Sequence, residues 1–403
     1  MTDPPVATAG RGPGTAVLSR AARPSEVAPP EPRGPVGSAL LDVLTRPAPP
    51  GPPEGSTVAA LRRWQATVQA ALADPGPLDA PRPDGPAGEP IIGDDVQVAL
   101  HLAYTLHLHG SSGVDEGWEW QPDLLAGVRM IERAFEAHLR RRAAELYAVL
   151  GVGVGVGVGV GLGCGPDPGP AQDLRQALIA ITDAPVGPAL SSYVRDEASL
   201  AQVREFLVLK SIYQLKEADP HTFSIPRLQG RAKAAAVEIQ GDEYGNGTLR
   251  AMHSQLYRVT MQHAGLDERL GAYLDLAPAA VLASDNAAVM FGLHRRLRAA
   301  AIGHLCALEM TSSAPMRRYA RGLRRVGLPP EAAEYFLEHV GVDAVHEQVA
   351  VHDMVVPLVA ADPALRADVL LGAATATLLD GDLATAAVAA WASGRSALRG
   401  PLP

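Results

Sequence analysis

From Asp94 to the C-terminus, apolar residues recur at intervals of three and four, and no stretch of ordinary composition alternates as a strand does. "DDVQVALHLAYTLHLHG", "QPDLLAGVRMIERAFEAHLRRRAAELYAVL" and "SLAQVREFLVLKSIYQLKEADP" each keep one apolar face on a helix of 3.6 residues per turn. Similar segments follow, ending in an alanine-rich helix expected from about Pro363 to Arg395. A chain with only helical stripes to bury must pack helix on helix. The expected fold class is therefore all-α, a helical bundle whose functional residues face its core. The one alternating run, "GVGVGVGVGVGLG" (151–163), has glycine at every second position, so one face of such a strand would be bare. We read 151–170 as a low-complexity loop and the segment most prone to aggregate.

Ahead of the bundle, residues 1–55 are dominated by Pro, Gly, Ala and Ser, as in "RPAPPGPPEGS", and are expected to be a disordered tail. Residues 56–93 read as a short helix, "STVAALRRWQATVQAALA", capped by Ser56, followed by a second proline-rich linker. The domain proper is expected over 94–403. The chain has 403 residues, 47% of them hydrophobic, enough for a sizeable core. Its net charge of −9 speaks against a nucleic-acid partner, and the short cluster Arg140, Arg141, Arg142 reads as a solvated helix face. Cys164 and Cys306 form neither a disulfide framework nor a cysteine metal motif. With no apolar leader at the N-terminus and no membrane span, the expected location is the cytoplasm.

The chemistry concentrates in "HVGVDAVHEQ" (339–348). His339, Asp343 and His346 stand at offsets 0, +4 and +7, within about 40° of one another on a helix. Two imidazoles and a carboxylate on one face are either a metal site or a costly polar network to bury. Helix bundles gather metal ligands from several facing helices, and "GDEYGNGTLRAMH" offers Glu243 and His253. On an unbroken helix these would lie about 15 Å apart. Gly245-Asn246-Gly247 between them favours a break that brings them together. One helix earlier, Glu217 closes "YQLKEADP" just before a proline. The set Glu217, Glu243, His253, His339, Asp343 and His346 is hard to borderline in donor character, suited to iron or manganese. Glu309, in the apolar "GHLCALEMTSS", is a further candidate ligand, the alternative being a salt bridge with an arginine such as Arg231. Asp242 and Glu238 could exchange roles with Glu243.

This order resembles the heme-oxygenase-like diiron oxidases and oxygenases, often called iron-containing redox enzymes: a lone Glu, then Glu with His ten residues on, then His-x3-Asp-x2-His. "KEADPHTFSIPRLQGRAKAAAVEIQGDEYGNG" is similar to that family as well, and the resemblance covers roughly residues 95–360. It implies that Glu217, Glu243, His253, His339, Asp343 and His346 hold two Fe(II) ions, with Mn as the substitute metal and O2 as co-substrate. Glu309 corresponds to an extra ligand found in N-oxygenating members. The implied activity is oxidation of a small amine- or amino-acid-derived metabolite, as in natural product biosynthesis, by N-oxygenation, desaturation or C–C cleavage. No catalytic residue beyond the metal ligands is implied. Expected partners are the small-molecule substrate and an external electron donor, with a homodimer by fold-level analogy. The alternatives are a non-catalytic helical metal-binding or interaction protein and a heme-degrading oxygenase.

Other polar residues read as structural. His101, His107 and His109 do not share a helical face. His294 and His304 are core or supporting histidines, and His352 and Asp353 at most support the ligands. Trp118 and Trp120 read as anchors of a loop. Tyr244, Phe223 and Arg227 are the residues near the ligands that could meet a substrate.

Overall fold

The computed structural model describes residues 27–73, 93–153 and 169–403, without the side chains of 169–172 and 342–344. The expectations for residues 1–26, for the proline-rich linker and for most of the Gly-Val run lie outside the described residues. The described chain is all-α, with a lone bridge between Val27 and Ser111 and no strand. Its helices are α1 (Pro35–Leu44), α2 (Gly55–Ala73), α3 (Asp94–Thr105), α4 (Pro122–Leu150), α5 (Gly169–Thr182), α6 (Leu190–Asp196), α7 (Leu200–Gln214) and α8 (Asp219–Thr222). Then come α9 (Gly230–Glu243), α10 (His253–His263), α11 (Ala279–Leu293), α12 (Arg298–Thr311), α13 (Ser313–Arg325) and α14 (Glu334–Gln348). A π-helical turn (Val349–Val355) leads from α14 into α15 (Val356–Ala361), and α16 (Arg366–Ala392) closes the fold.

Residues 27–55 correct the expectation of disorder over 1–55. Val36, Leu40, Val43 and Leu44 fall at helical spacing and are fully covered, making α1 part of the main core. The helix starts on Pro35, whose fixed φ suits a first turn. Its exposed N–H groups are met from another helix: Asp95 accepts from Val36 and Gly37, both at 2.8 Å. Arg33 is drawn in as well, donating to Asp94 and to the carbonyls of Leu274 and Ala277. Composition averages such a segment towards disorder, whereas four apolar residues on one face suffice to dock it. Trp118 is buried and donates to the Arg46 carbonyl at 2.8 Å, holding this region to the loop before α4, whereas Trp120 is exposed.

Two apolar clusters build the interior. One joins α1 to α5 with α9, α11, α12 and the N-terminal part of α16; the other joins α6, α7, α10, α13, the start of α14 and the far end of α16. The backbones of α12 and α16 touch. A Cβ at Gly303 would lie 1.9 Å from the Val369 carbonyl oxygen, and one at Gly372 1.9 Å from that of Ala300. Only glycine permits that approach. Residues 363–392 have the length and apolarity of a membrane span, but two-thirds of the most apolar window is buried inside the bundle. Arg140 and Arg141 are exposed on α4, whereas Arg142 is largely covered and pairs with Asp382 of α16; Arg140 pairs with Asp368 of the same helix.

Candidate metal centre

Polar residues collect where the two apolar clusters meet. α7 and the turn after it deliver Glu217; α9 ends on Glu243; α10 begins with His253; α12 carries Glu309, and α14 carries His339 and His346. The break between α9 and α10 follows from its sequence. Gly245, Asn246 and Gly247 all have positive φ, at 60°, 49° and 77°, and fold the chain through two short 3-10 turns. Glycine and asparagine tolerate that region best. His253 Nδ1 thereby comes 3.1 Å from Glu243 Oε2, instead of standing several turns away.

Glu217, Glu243, His253 and His339 form one buried cluster, each offering a ligand atom within 4.8 Å of the others. His253 Nδ1 is 3.7 Å and His339 Nε2 4.0 Å from Glu217 Oε1. These atoms face a common point: Glu217 Oε1, Glu243 Oε2 and His253 Nδ1 are buried and make no aligned hydrogen bond, the 3.1 Å His253–Glu243 contact being an ion pair alone. Orphaned buried donors and acceptors are costly, and a cation among them would satisfy all at once. The residues present therefore fit a metal ion.

Beside this cluster, His346 Nδ1 lies 3.3 Å from Glu309 Oε2, again without an aligned hydrogen bond, while its Nε2 donates to Asp242 Oδ2 at 2.9 Å. Arg231, the alternative partner for Glu309, pairs instead with Asp353. Asp343 lies on α14 between His339 and His346, but its side chain is outside the described residues. Of the seven residues proposed from sequence, four share one cluster, two form a neighbouring pair, and Asp343 is not placed.

Supporting contacts fix the donors. The Tyr335 hydroxyl donates to Glu217 Oε2 at 2.7 Å, and the Tyr335 carbonyl accepts from His339 Nδ1–H at 2.8 Å. His339 therefore keeps its Nε2 lone pair for the cluster, as supporting hydrogen bonds do in metal sites. Tyr335 escaped the sequence reading although it stands four residues before His339, on the same helical face. Burial and the Glu243 carboxylate beside it hold Glu217 well above the usual carboxylate range. Burial would also raise Glu243, but contact with His253 and the positive field of His253, His339 and His346 outweigh it and lower Glu243. Burial works against His253, yet Glu243, with Glu217 and Glu309 behind it, lifts it to about 9. Glu309 and Asp242 likewise outweigh burial and lift His346 to about 9. His339, covered and next to His253, is pushed down to about 4. Without a metal, protons partly neutralise the site.

A cavity of about 310 Å³ opens onto this centre, reaching Glu217, Glu243, Glu309 and His339 between walls that include Phe206 and Tyr319. His221 and His304 also line it, with His221 Nε2 3.1 Å from His304 Nδ1. Burial lowers both imidazoles, His304 to about 4. Sequence reading took His304 as a supporting histidine and did not single out His221. Tyr244, Phe223 and Arg227 are not in the wall. Tyr244 donates to Asp219, and Arg227 ties the carbonyls of Gly292 and Leu293. His101 pairs with Asp285, His107 with Glu119 and His109 with Asp219; His101 and His109 line one small pocket, which His107 does not share.

With this geometry in place, two comparisons with known proteins bear on the chain. Residues 204–381 match the model of a family described as iron-containing redox enzymes. Nitrosourea synthase from Streptomyces achromogenes subsp. streptozoticus is 29% identical over 147 residues, 36% of this chain. The match spans 31% of that protein's length. The chain is thus distantly homologous to iron-using redox proteins. That homology and the buried two-Glu, two-His cluster together support a redox enzyme.

Proposed function

We propose that this chain is a nonheme diiron enzyme that uses O2 to oxidise a small amine- or amino-acid-derived metabolite. The observation that carries the reading is the buried set of mutually facing carboxylate and imidazole atoms, without aligned hydrogen bonds among them, beside a cavity. Glu217, Glu243, His253 and His339 would hold iron, and the neighbouring pair His346 and Glu309 offers donors for a second ion. Iron supplies the ability to activate O2, which protein side chains lack.

The chain's own groups prepare that chemistry. Tyr335 orients Glu217 and His339; Asp242 turns His346 so that Nδ1 faces Glu309. Phe206, Leu209, Leu305 and Phe336 supply apolar wall beside the buried acids. His221 and His304, kept neutral by burial, present hydrogen-bonding groups without adding charge. Among N-oxygenation, desaturation and C–C cleavage, the first is favoured by Glu309's position beside His346 and by the relative's name, which denotes a nitrosourea product.

The test is iron content per chain, together with stopped-flow absorbance after mixing the anaerobic Fe(II) protein with O2. Close to two irons and an O2-dependent transient, both diminished in His346→Ala, are the expected result. Failure to take up iron, or iron that never responds to O2, refutes the proposal.

A further inference from the structure

The cavity follows one face of α7. Phe206, Lys210, Tyr213 and Glu217 recur at intervals of four, three and four residues, so they share a side of the helix and its closing turn, and all four line the cavity. Lys210 and Glu217, seven residues apart, mark two ends separated by about 10 Å.

Those ends carry different groups. The inner end carries the carboxyl groups of Glu217, Glu243 and Glu309, all buried. At the outer end Lys210 Nζ lies 2.7 Å from Asp380 Oδ1 of α16, and both residues line the cavity. No other lysine or arginine lines it among the described residues. The two partners are unequal: the Lys210 side chain is 22% exposed and that of Asp380 59%. Asp380 can therefore return to water when displaced, whereas Lys210, mostly covered, still needs an anion beside it. An exposed ion pair contributes little to stability and is readily exchanged.

Resting on the oxidation site proposed above, we infer that Lys210 reads the substrate's head group. The substrate carries a carboxylate that takes the place of Asp380 on Lys210, and its opposite, non-anionic end extends about 10 Å along α7 towards the buried acids. Lys210 supplies the orientation: a carboxylate held at the mouth meets the one lysine that lines the cavity among the described residues, and the other end of the substrate is left to reach the metal centre. Complementarity of this kind selects orientation and suppresses wrong ligands more than it adds raw affinity. Lysine suits the role as a compact charge on a flexible stem, able to turn from Asp380 to an incoming anion.

Calorimetric titration of the whole chain, metal-free and anaerobically iron-loaded, with octanoate, octan-1-ol and octylamine tests the assignment. Octanoate is expected to bind at least tenfold more tightly than octan-1-ol or octylamine. Lys210→Met should abolish that preference and leave octan-1-ol binding unchanged. Asp380→Asn, which releases Lys210, should tighten octanoate binding two- to fivefold, whereas loss of a merely structural ion pair would weaken it or leave it unaltered. Equal binding of octanoate and octan-1-ol by the wild type, or a preference that survives Lys210→Met, overturns the inference. Iron uptake in the same samples separates the two readings. Iron without head-group preference refutes the Lys210 assignment alone, and a Lys210-dependent preference without iron refutes the diiron reading alone.

Discussion

Raising the pH from 6.5 to 8.5 should tighten metal binding steeply, because the first metal must displace a proton from His253. In the metal-free protein that imidazole is lifted to about 9, against burial, by Glu243, Glu217 and Glu309. Over the whole interval it is mainly protonated, so each metal bound releases one proton from it. The apparent affinity then rises about tenfold per pH unit, equivalent to about 1.4 kcal/mol, and close to a hundredfold from pH 6.5 to 8.5. The gain levels off near 9, where the metal-free site sheds the proton unaided. His346, also lifted to about 9, adds a second proton when the neighbouring site fills. The same protons act in the opposite sense on the metal-free fold. A raised His253 stabilises it below about 6.5 and ceases to do so as pH passes through about 9. Competition against a chelator of known proton affinity, with Mn(II) to avoid oxidation, measures the slope, and an indicator dye counts the protons released. An affinity that changes less than threefold over the interval, or no proton release, would refute the electrostatic account of the site.

Three further substitutions test how the centre is supported. Tyr335→Phe deletes the hydroxyl on Glu217 Oε2, so iron affinity should fall on the order of 10- to 100-fold while the melting temperature moves little; unchanged affinity by chelator competition would show that Tyr335 does not orient Glu217. Leu40→Ala, at a position with 0% exposure, should cost about 2–5 kcal/mol in urea unfolding; a neutral result would mean that α1 is not integral to the core. In Gly303→Ala the new methyl would meet the Val369 carbonyl at 1.9 Å, forcing α12 from α16 at a cost of about 1–3 kcal/mol or more. Because Glu309 and His304 ride on α12, iron uptake measured in the folded variant should fall too, whereas a melting curve identical to wild type would contradict the close approach.

Much of the centre was legible because its pieces are local. His339, Asp343 and His346 share a face by virtue of helical spacing alone, and Gly245-Asn246-Gly247 announces a break because glycine and asparagine adopt positive φ cheaply. The structure uses that break to set His253 against Glu243. Residues acting across helices were not legible. Asp242 was weighed only as a substitute for Glu243, yet it holds His346, 104 positions away. His221 and His304 form a pair 83 residues apart, with no spacing to reveal it. Tyr244, Phe223 and Arg227 were chosen for proximity in sequence, and proximity in sequence does not decide which way a side chain turns after a tight turn.

The sequence by itself determined the helical class, the position of each candidate ligand along the chain, and the donor chemistry they offer. Periodicity, turn propensity and side-chain hardness are properties of residues and their near neighbours. Tertiary structure alone decided that α1 docks, since a four-residue apolar stripe has meaning only once a groove receives it. It also decided that burial raises Glu217 while His253 lowers Glu243, and it placed Lys210 and Asp380, 170 positions apart, at the mouth of one cavity. Charge, burial and cavity shape depend on everything within a few ångströms, and the chain brings those neighbours together only by folding.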